Sequence, residues 1–271
     1  MEPVEKRAPI YVGCAGWNIP KTCDSRFCSE GTHLERYGSH FNGVEINSSF
    51  YRSHKAQTYG RWATSVPKGF RFAVKMPKTI THENRLRDVA IPLQSFVEQI
   101  AGLGDKLGPL LIQLPPSLEF DGVVMERFFS LLRSLFDGEV VCEPRHRSWF
   151  KPNADELLRC NRIARVAADP AIVADAFLPG GFKGLTYYRL HGSPRMYYSS
   201  YSQEVLALLA MALRDHVAQG TAAWCIFDNT AVGAAMGNAM EMTESIPNAK
   251  TLKRLDSSKL NPNLFPPQPA R

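Results

Sequence analysis

The sequence lacks any long apolar run. No segment of its 271 residues approaches the ~20 uncharged positions that a membrane helix needs, and the opening MEPVEKRAPI carries charge where a secretory leader would carry an apolar block. Also missing are the G-x-x-x-x-G-K-[ST] loop and the G-x-G-x-x-G fingerprint, whose glycines let backbone N–H groups approach phosphate, so no nucleotide cofactor is indicated. No G-x-S-x-G elbow presents a serine nucleophile, and no HExxH pair sets two histidines one helical turn apart for zinc. Cysteine is sparse: six occur, and Cys14, Cys142 and Cys225 sit in apolar, strand-like runs that favour reduced, buried thiols over a disulfide frame. Only Cys23 and Cys28, in the polar KTCDSRFCSE, are placed for redox or metal chemistry; without a second cysteine pair, chance spacing explains them better. These absences point to a soluble, cytoplasmic protein with no membrane partner.

What is present is ordinary in amount and regular in order. At 44% hydrophobic and 21% charged, the chain can bury one large core. A net charge of +6, from 32 basic and 26 acidic residues, favours an anionic partner without establishing nucleic-acid binding. Strand-like runs recur at 10 to 14, 43 to 47, 70 to 75, 109 to 114, 140 to 143, 164 to 169, 185 to 190 and 223 to 228. Helical patterns such as HLERYGSHF, LQSFVEQIAGLG, MERFFSLLRSLF and SQEVLALLAMALRDHVAQG lie between them, and the sixth connection, PAIVADAFLPGGFKG, is the weakest of these. The runs start roughly 30 residues apart, the length of a βα unit. Eight such units predict one (β/α)8 TIM-type barrel, a parallel eight-stranded barrel with outer helices, over 10–255. Residues 1–9 read as an N-terminal extension and 256–271 as a Pro-rich tail; an open doubly wound sheet is the alternative architecture.

Parallel barrel strands are covered on both faces, so charged residues inside them need a reason. Side chains alternate along a strand. Glu45 and Asn47 share one face, as do Ala73 with Lys75, Leu111 with Gln113, Val141 with Glu143, Ala167 with Asp169, and Tyr187 with Arg189 and His191. In six strands the polar residue stands at the C-terminal end, which is where barrel enzymes carry their chemistry, so the polar set is expected to face the mouth. A strand-end Asn47 or Gln113 could equally do no more than satisfy backbone groups.

VEINSSFY, FRFAVKMPKTITH, LGPLLIQLPP, VCEPRHRSW, YYRLHG and FDNT, in this order, resemble the YecE-like family, domain of unknown function 72. The resemblance spans roughly Ile10 to Glu244. It implies a TIM-type barrel with a polar C-terminal pocket and assigns no reaction. Matched by position, the family's motif residues fall on Glu45, Asn47, Tyr51, Lys75, His82, Gln113, Glu143, Arg145, Trp149, Arg189, His191 and Asn229. The chain departs from the family pattern at CEPRHR, where members often read EFRHR, and at FDNT, where an asparagine pair is common and Asp228 stands instead.

Three carboxylates, Glu45, Glu143 and Asp169, are thereby expected opposite Lys75, Arg145 and Arg189, with His191 able to take either charge. One reading makes Glu143 or Glu45 a general base, His191 a proton shuttle and the three cations a clamp for a carboxylate, phosphate or oxyanion. Asn47, Tyr51, Gln113, Trp149 and Asn229 would complete the binding surface. The bland alternative is a structural ion-pair belt. Glu45, His82, Glu143, Asp169 and His191 are admissible ligands for a divalent metal, but three cations at one mouth oppose it. The expected function is acid/base chemistry on a small anionic substrate, a sugar phosphate or carboxylate. The alternatives are a nucleic-acid-binding protein or metal-assisted phosphodiester hydrolase akin to apurinic endonuclease-like barrels, in which Arg195 with Tyr197, Tyr198 and Tyr201 would stack bases, and a non-catalytic binding barrel. The loops HGSPR and DNTAVG offer a further phosphate position near a helix N-terminus, or ordinary turns.

Overall fold

The computed structural model describes residues 8–248. Nearly all of the expected N-terminal extension and the whole Pro-rich tail lie outside the described residues. Strands β1 (Ile10–Cys14), β2 (Gly43–Ile46), β3 (Arg71–Lys75), β4 (Leu107–Gln113) and β5 (Val140–Glu143) are each followed by helix: α1 (His33–Gly38), α2 (Ser48–Tyr51) with α3 (Ala56–Thr64), α4 (Ala90–Ile100), α5 (Gly122–Leu135) and α6 (Pro152–Cys160). The chain continues through β6 (Ile163–Arg165), β7 (Ala167–Asp169), β8 (Gly180–Gly181), β9 (Leu185–Leu190), α7 (Gln203–Ala218), β10 (Ala222–Phe227) and α8 (Ala234–Asn248). Local chemistry sets the helix starts. Thr32 and Glu35 exchange a capping box before α1, Asp121 accepts from the Val123 and Val124 amides, and Ser202 accepts from Val205, each satisfying donors that have no partner in the first turn. No helix among the described residues is long and apolar enough to cross a membrane.

The expected single eight-stranded sheet is resolved as two. One has the order β1-β10-β9-β7 and the other β2-β3-β4-β5-β6-β8; every pairing is parallel except β8 on β6. The divisions have visible causes. Residues 164–169, expected as one strand, change partner midway: β6 pairs with β5 and β7 with β9, and the intervening Val166 amide still reaches the Cys142 carbonyl at 2.8 Å. Between β1 and β2, side chains replace most of the ladder. The Tyr37 hydroxyl accepts from the Cys14 amide (2.8 Å) and donates to the Gly43 carbonyl (2.9 Å), while Asn42 bonds the Val12 amide and the Ile10 carbonyl. One backbone bridge remains there, Ala15 to Glu45. A Cβ on Gly13 would stand 1.9 Å from the Gly43 oxygen, so only glycine admits this approach. The sixth connection is not an α-helix: Pro179, Gly180 and Gly181 interrupt it, leaving one short 3-10 helix at Ala174–Phe177 and the antiparallel β8.

Two apolar clusters divide the strand residues by parity. Val12, Val44, Phe72, Val74, Leu110, Ile112, Val140, Cys142, Leu190 and Phe227 pack with the helices in the larger one. Ala73, Leu111, Val141, Ala164, Val166, Ala168, Leu185, Tyr187, Trp224 and Ile226, drawn from both sheets, form the smaller. Beyond this inner cluster, at the C-terminal ends of the strands, the charged residues begin.

Candidate functional site

The strand β9 alternation aligns Tyr187, Arg189 and His191, and Arg189 becomes the centre of a buried charge cluster. Its guanidinium has no solvent exposure. Nε and Nη2 meet the Glu45 carboxylate at 2.9 and 2.7 Å, Nη1 meets Glu143 at 3.0 Å, and Nη2 also lies 2.9 Å from Asp228. A planar fork of N–H donors suits this sharing, which a point-like ammonium could not reproduce. Tyr187 donates to the second oxygen of Glu45 at 2.9 Å, and the Gln113 amide makes a long 3.4 Å contact with Glu143. His191 completes the cluster. Its Nε2 is 2.9 Å from Glu143 Oε1 and 3.2 Å from Arg189 Nη1, and Nδ1 is 3.0 Å from Asp228 Oδ2, close enough for charge attraction though not aligned as a hydrogen bond. Arg145 closes the outer side, its Nη2 touching both Glu143 and His191.

The charges compensate. Burial alone would raise Glu143, but Arg145, Arg189 and His191 outweigh it and hold the carboxyl well below its ordinary range. Burial likewise opposes the Asp228 carboxylate, and Arg189, His191 and Lys75 bring it down to about 2. Lys75 lies on the same face as Ala73, with its Nζ 4.1 Å from the centre of the Phe50 ring. Burial first and Arg189 second lower its ammonium to about 8, against the pull of Glu45, Glu143 and Asp228. Arg145, Asp228 and Lys75 are the slightly exposed members, so they form the solvent side of the cluster.

A family model described as "Protein of unknown function DUF72" matches residues 11–262. The chain belongs to the DUF72 family. Among its relatives is the UPF0759 protein YecE of Escherichia coli K12, 34% identical over 148 residues that make up 54% of this chain and 52% of the relative, so the chain spans about half the length of that protein. The UPF0759 protein YunF of Bacillus subtilis strain 168 is 24% identical over 87% of this chain and 94% of its own. A DUF72 protein of Thermotoga maritima MSB8, known from a crystal structure, superposes with a TM-score of 0.73 at 22% identity, covering 88% of this chain and 99% of that one. That likeness extends the shared α/β fold to a solved structure.

In this DUF72 chain Glu45, Glu143, Arg189, His191, Arg145 and Lys75 converge as their strand parity predicts. Asp169 makes no ion pair with Arg189 and is held by a different partner. It shares parity with Ala167, which packs in the outer cluster, and with Arg165, which reaches Asp155 of α6; the inner positions are Ala164, Val166 and Ala168. Small residues there leave room for the large β9 side chains. Asp169 accepts from the Tyr201 hydroxyl at 2.5 Å, and burial, only partly offset by that bond and by the nearby His191 and Arg145, raises it to about 6. Trp149 does not wall the pocket either. It is fully buried, donates to the Leu118 carbonyl at 2.9 Å and packs edge-on against Phe120, because the apolar ring finds more cover under the loop after β4 than in a charged mouth. Asn229 is tied by its amide to the Ser199 carbonyl and Asn238. Tyr51 is exposed on α2, and His82 packs edge-on against Phe50.

The five residues admissible as metal ligands do not converge as a set, although Glu143 and His191 meet at 2.9 Å. Glu45 and Glu143 direct oxygens at Arg189, Asp169 accepts from Tyr201, and among the described residues no group of three or more His, Cys, Asp or Glu side chains is arranged to hold an ion. Two contributors escaped sequence reasoning. Asp228, a departure from the family pattern, lies between Arg189 and His191, and Phe50 covers Lys75. Asp228 had a signal: it shares parity with Trp224 and Ile226 at the end of β10.

Proposed function

We propose that this chain is an enzyme that moves a proton on a small anionic substrate, a sugar phosphate or related carboxylate, at the mouth of a (β/α)8 barrel. The barrel reading is supported by the side-chain stitching of β1 to β2, by the unbroken run from β6 into β7, and by an inner cluster drawn from both sheets. Three buried, unpaired cysteines support a reducing, cytoplasmic setting.

His191 carries the reading. Its Nε2 faces Arg145 and Arg189, which can only donate, and Glu143, which as a carboxylate can only accept. A proton on that nitrogen favours Glu143; its loss favours the arginines. Either state of that nitrogen therefore has a partner in place, an arrangement suited to general acid/base work. Arg189 is saturated by Glu45, Glu143 and Asp228, so its role here is to hold the carboxylates, and the substrate anion falls to Arg145 and Lys75 on the solvent side.

Calorimetry with inorganic phosphate and acetate, together with a turnover screen of sugar phosphates and small carboxylates, tests this. Binding that weakens at least tenfold in R145Q and K75Q, and turnover lost in H191N while binding persists, is expected. Anion binding unchanged by both substitutions would sink the proposal. A nucleic-acid reading draws support from one observation: the Arg195 guanidinium lies 3.9 Å from the centre of the Tyr198 ring, beside the part-exposed Tyr197. It requires oligonucleotide affinity that falls steeply with salt. Salt-independent or absent association would remove it.

A further inference from the structure

Among the described residues, Lys75 is the cation of the cluster that no carboxylate holds within ion-pair distance: Arg145 meets Glu143, and Arg189 meets Glu45, Glu143 and Asp228. Its amine is instead placed over an aromatic ring. The placement is built, because the Ser49 hydroxyl reaches the carbonyls of Lys75 (2.6 Å) and Ile46 (2.8 Å) and so locks α2 onto the ends of β2 and β3, bringing Phe50 over the Nζ. An ammonium there has no carboxylate in direct contact and little of its water, and it lies near a second cation, Arg189. Those are the conditions that turn a lysine into a nucleophile.

We propose that Lys75 captures a carbonyl carbon of the substrate as an imine, which narrows the substrate class to small anions bearing an aldehyde or ketone, such as 2-oxo acids and ketose or aldose phosphates. This rests on the anionic-substrate reading above. In the step, the Nζ lone pair attacks the carbonyl carbon while the C=O π pair moves to oxygen, which takes a proton as the nitrogen loses one. The carbinolamine then accepts a second proton on oxygen and expels water as the nitrogen lone pair forms C=N. The net change is amine plus carbonyl plus one proton giving iminium plus water. The charged and titratable groups around the amine are Arg189, Glu45, Glu143, Asp228 and, beyond Phe50, His82. With the ammonium lowered to about 8, the free-amine fraction at neutral pH is roughly two orders of magnitude above that of an ordinary lysine.

The test is reductive trapping of the full chain at pH 8 with pyruvate or dihydroxyacetone phosphate and sodium cyanoborohydride, whose hydride converts the iminium to a stable secondary amine, followed by peptide mass mapping. Lys75 should be modified at least tenfold faster than the average of the other lysines. Excess inorganic phosphate should slow that labelling, and the neutral carbonyl dihydroxyacetone should show less preference for Lys75. K75R and K75M, checked for folding by circular dichroism, should lose the fast phase only. Uniform labelling of surface lysines, equal in wild type and K75M, would overturn the imine; if phosphate still bound in that case, the anionic-substrate reading would survive alone. Fast Lys75 labelling without any phosphate binding would keep the nucleophile and remove the anion site.

Discussion

Arg189 sits without solvent among three carboxylates, so its removal leaves uncompensated buried charge rather than a lost contact. R189M is expected to destabilise the fold by about 3–5 kcal/mol, read as a lowered urea midpoint. R189K should recover only part of it, because an ammonium cannot address Glu45, Glu143 and Asp228 in one plane. A loss below about 1 kcal/mol would mean that the cluster relaxes into water. Asp169 behaves oppositely. Its carboxyl is held up at about 6, so the folded chain binds its proton more tightly than the unfolded chain does, and this contribution is present at low pH and lost as pH rises from about 4 to 6. D169N should lack that slope and exceed wild type by about 3 kcal/mol at pH 7.5, with the gap closing toward pH 4. Urea titrations at the two pH values decide it; a gap independent of pH would show that Asp169 titrates as in the unfolded chain.

At the scale of elements, the Tyr37 hydroxyl is one of the few links across the β1–β2 seam, beside Asn42 and the Ala15–Glu45 bridge. Y37F leaves the buried Cys14 amide without its acceptor and the Gly43 carbonyl without its donor, at an expected cost of about 1–3 kcal/mol. Amide exchange should localise the loss: Cys14 should exchange faster, while the β4–β5 ladder keeps its protection. Uniform acceleration would show that the seam opens only with the whole fold. Gly13→Ala is expected to be far worse, since the added carbon meets backbone oxygen that no side-chain rotation can move. The same seam positions Glu45, whose carbonyl accepts from the Gly16 amide at 2.8 Å. Its loosening should therefore reach the Arg189 cluster.

For the molecule as a whole, two opposite pH dependences overlap. Asp228 at about 2 and Glu143 well below its usual range contribute stability that is complete above the unfolded carboxylate pKa near 4 and disappears as pH falls through their folded values. Asp228 accounts for roughly 2 kcal/mol of this. D228N should remove much of the acid slope between pH 4 and 2 while leaving the Asp169 slope above pH 4 in place. Circular dichroism across that range reads both. If acid unfolding of D228N followed the wild-type curve, the buried cluster would not govern acid stability.

The strand alternation was legible without coordinates. Glu45, Lys75, Glu143, Arg189 and His191 share the parity of small or apolar neighbours, and a period of two is a property of the extended backbone itself. Family motifs named most of the same residues. What the linear order did not contain was which charge meets which: Arg189 finds Glu45 from 144 residues away and Glu143 from 46, and only the packing of one sheet against the other brings them to about 3 Å. The run from β6 into β7 shows the limit of local reading. Asp169 has the same alternation as Glu45 and Glu143, yet it shares its face with Arg165 and Ala167 and bonds Tyr201, while Ala164, Val166 and Ala168 pack in the cluster that holds Tyr187. Trp149 went the same way, from expected pocket wall to core, since burial of its ring depends on the neighbouring loop and not on its neighbours in sequence. Alternation is decided between adjacent residues; the direction of a face, and the partner of a charge, are decided by what occupies the other side.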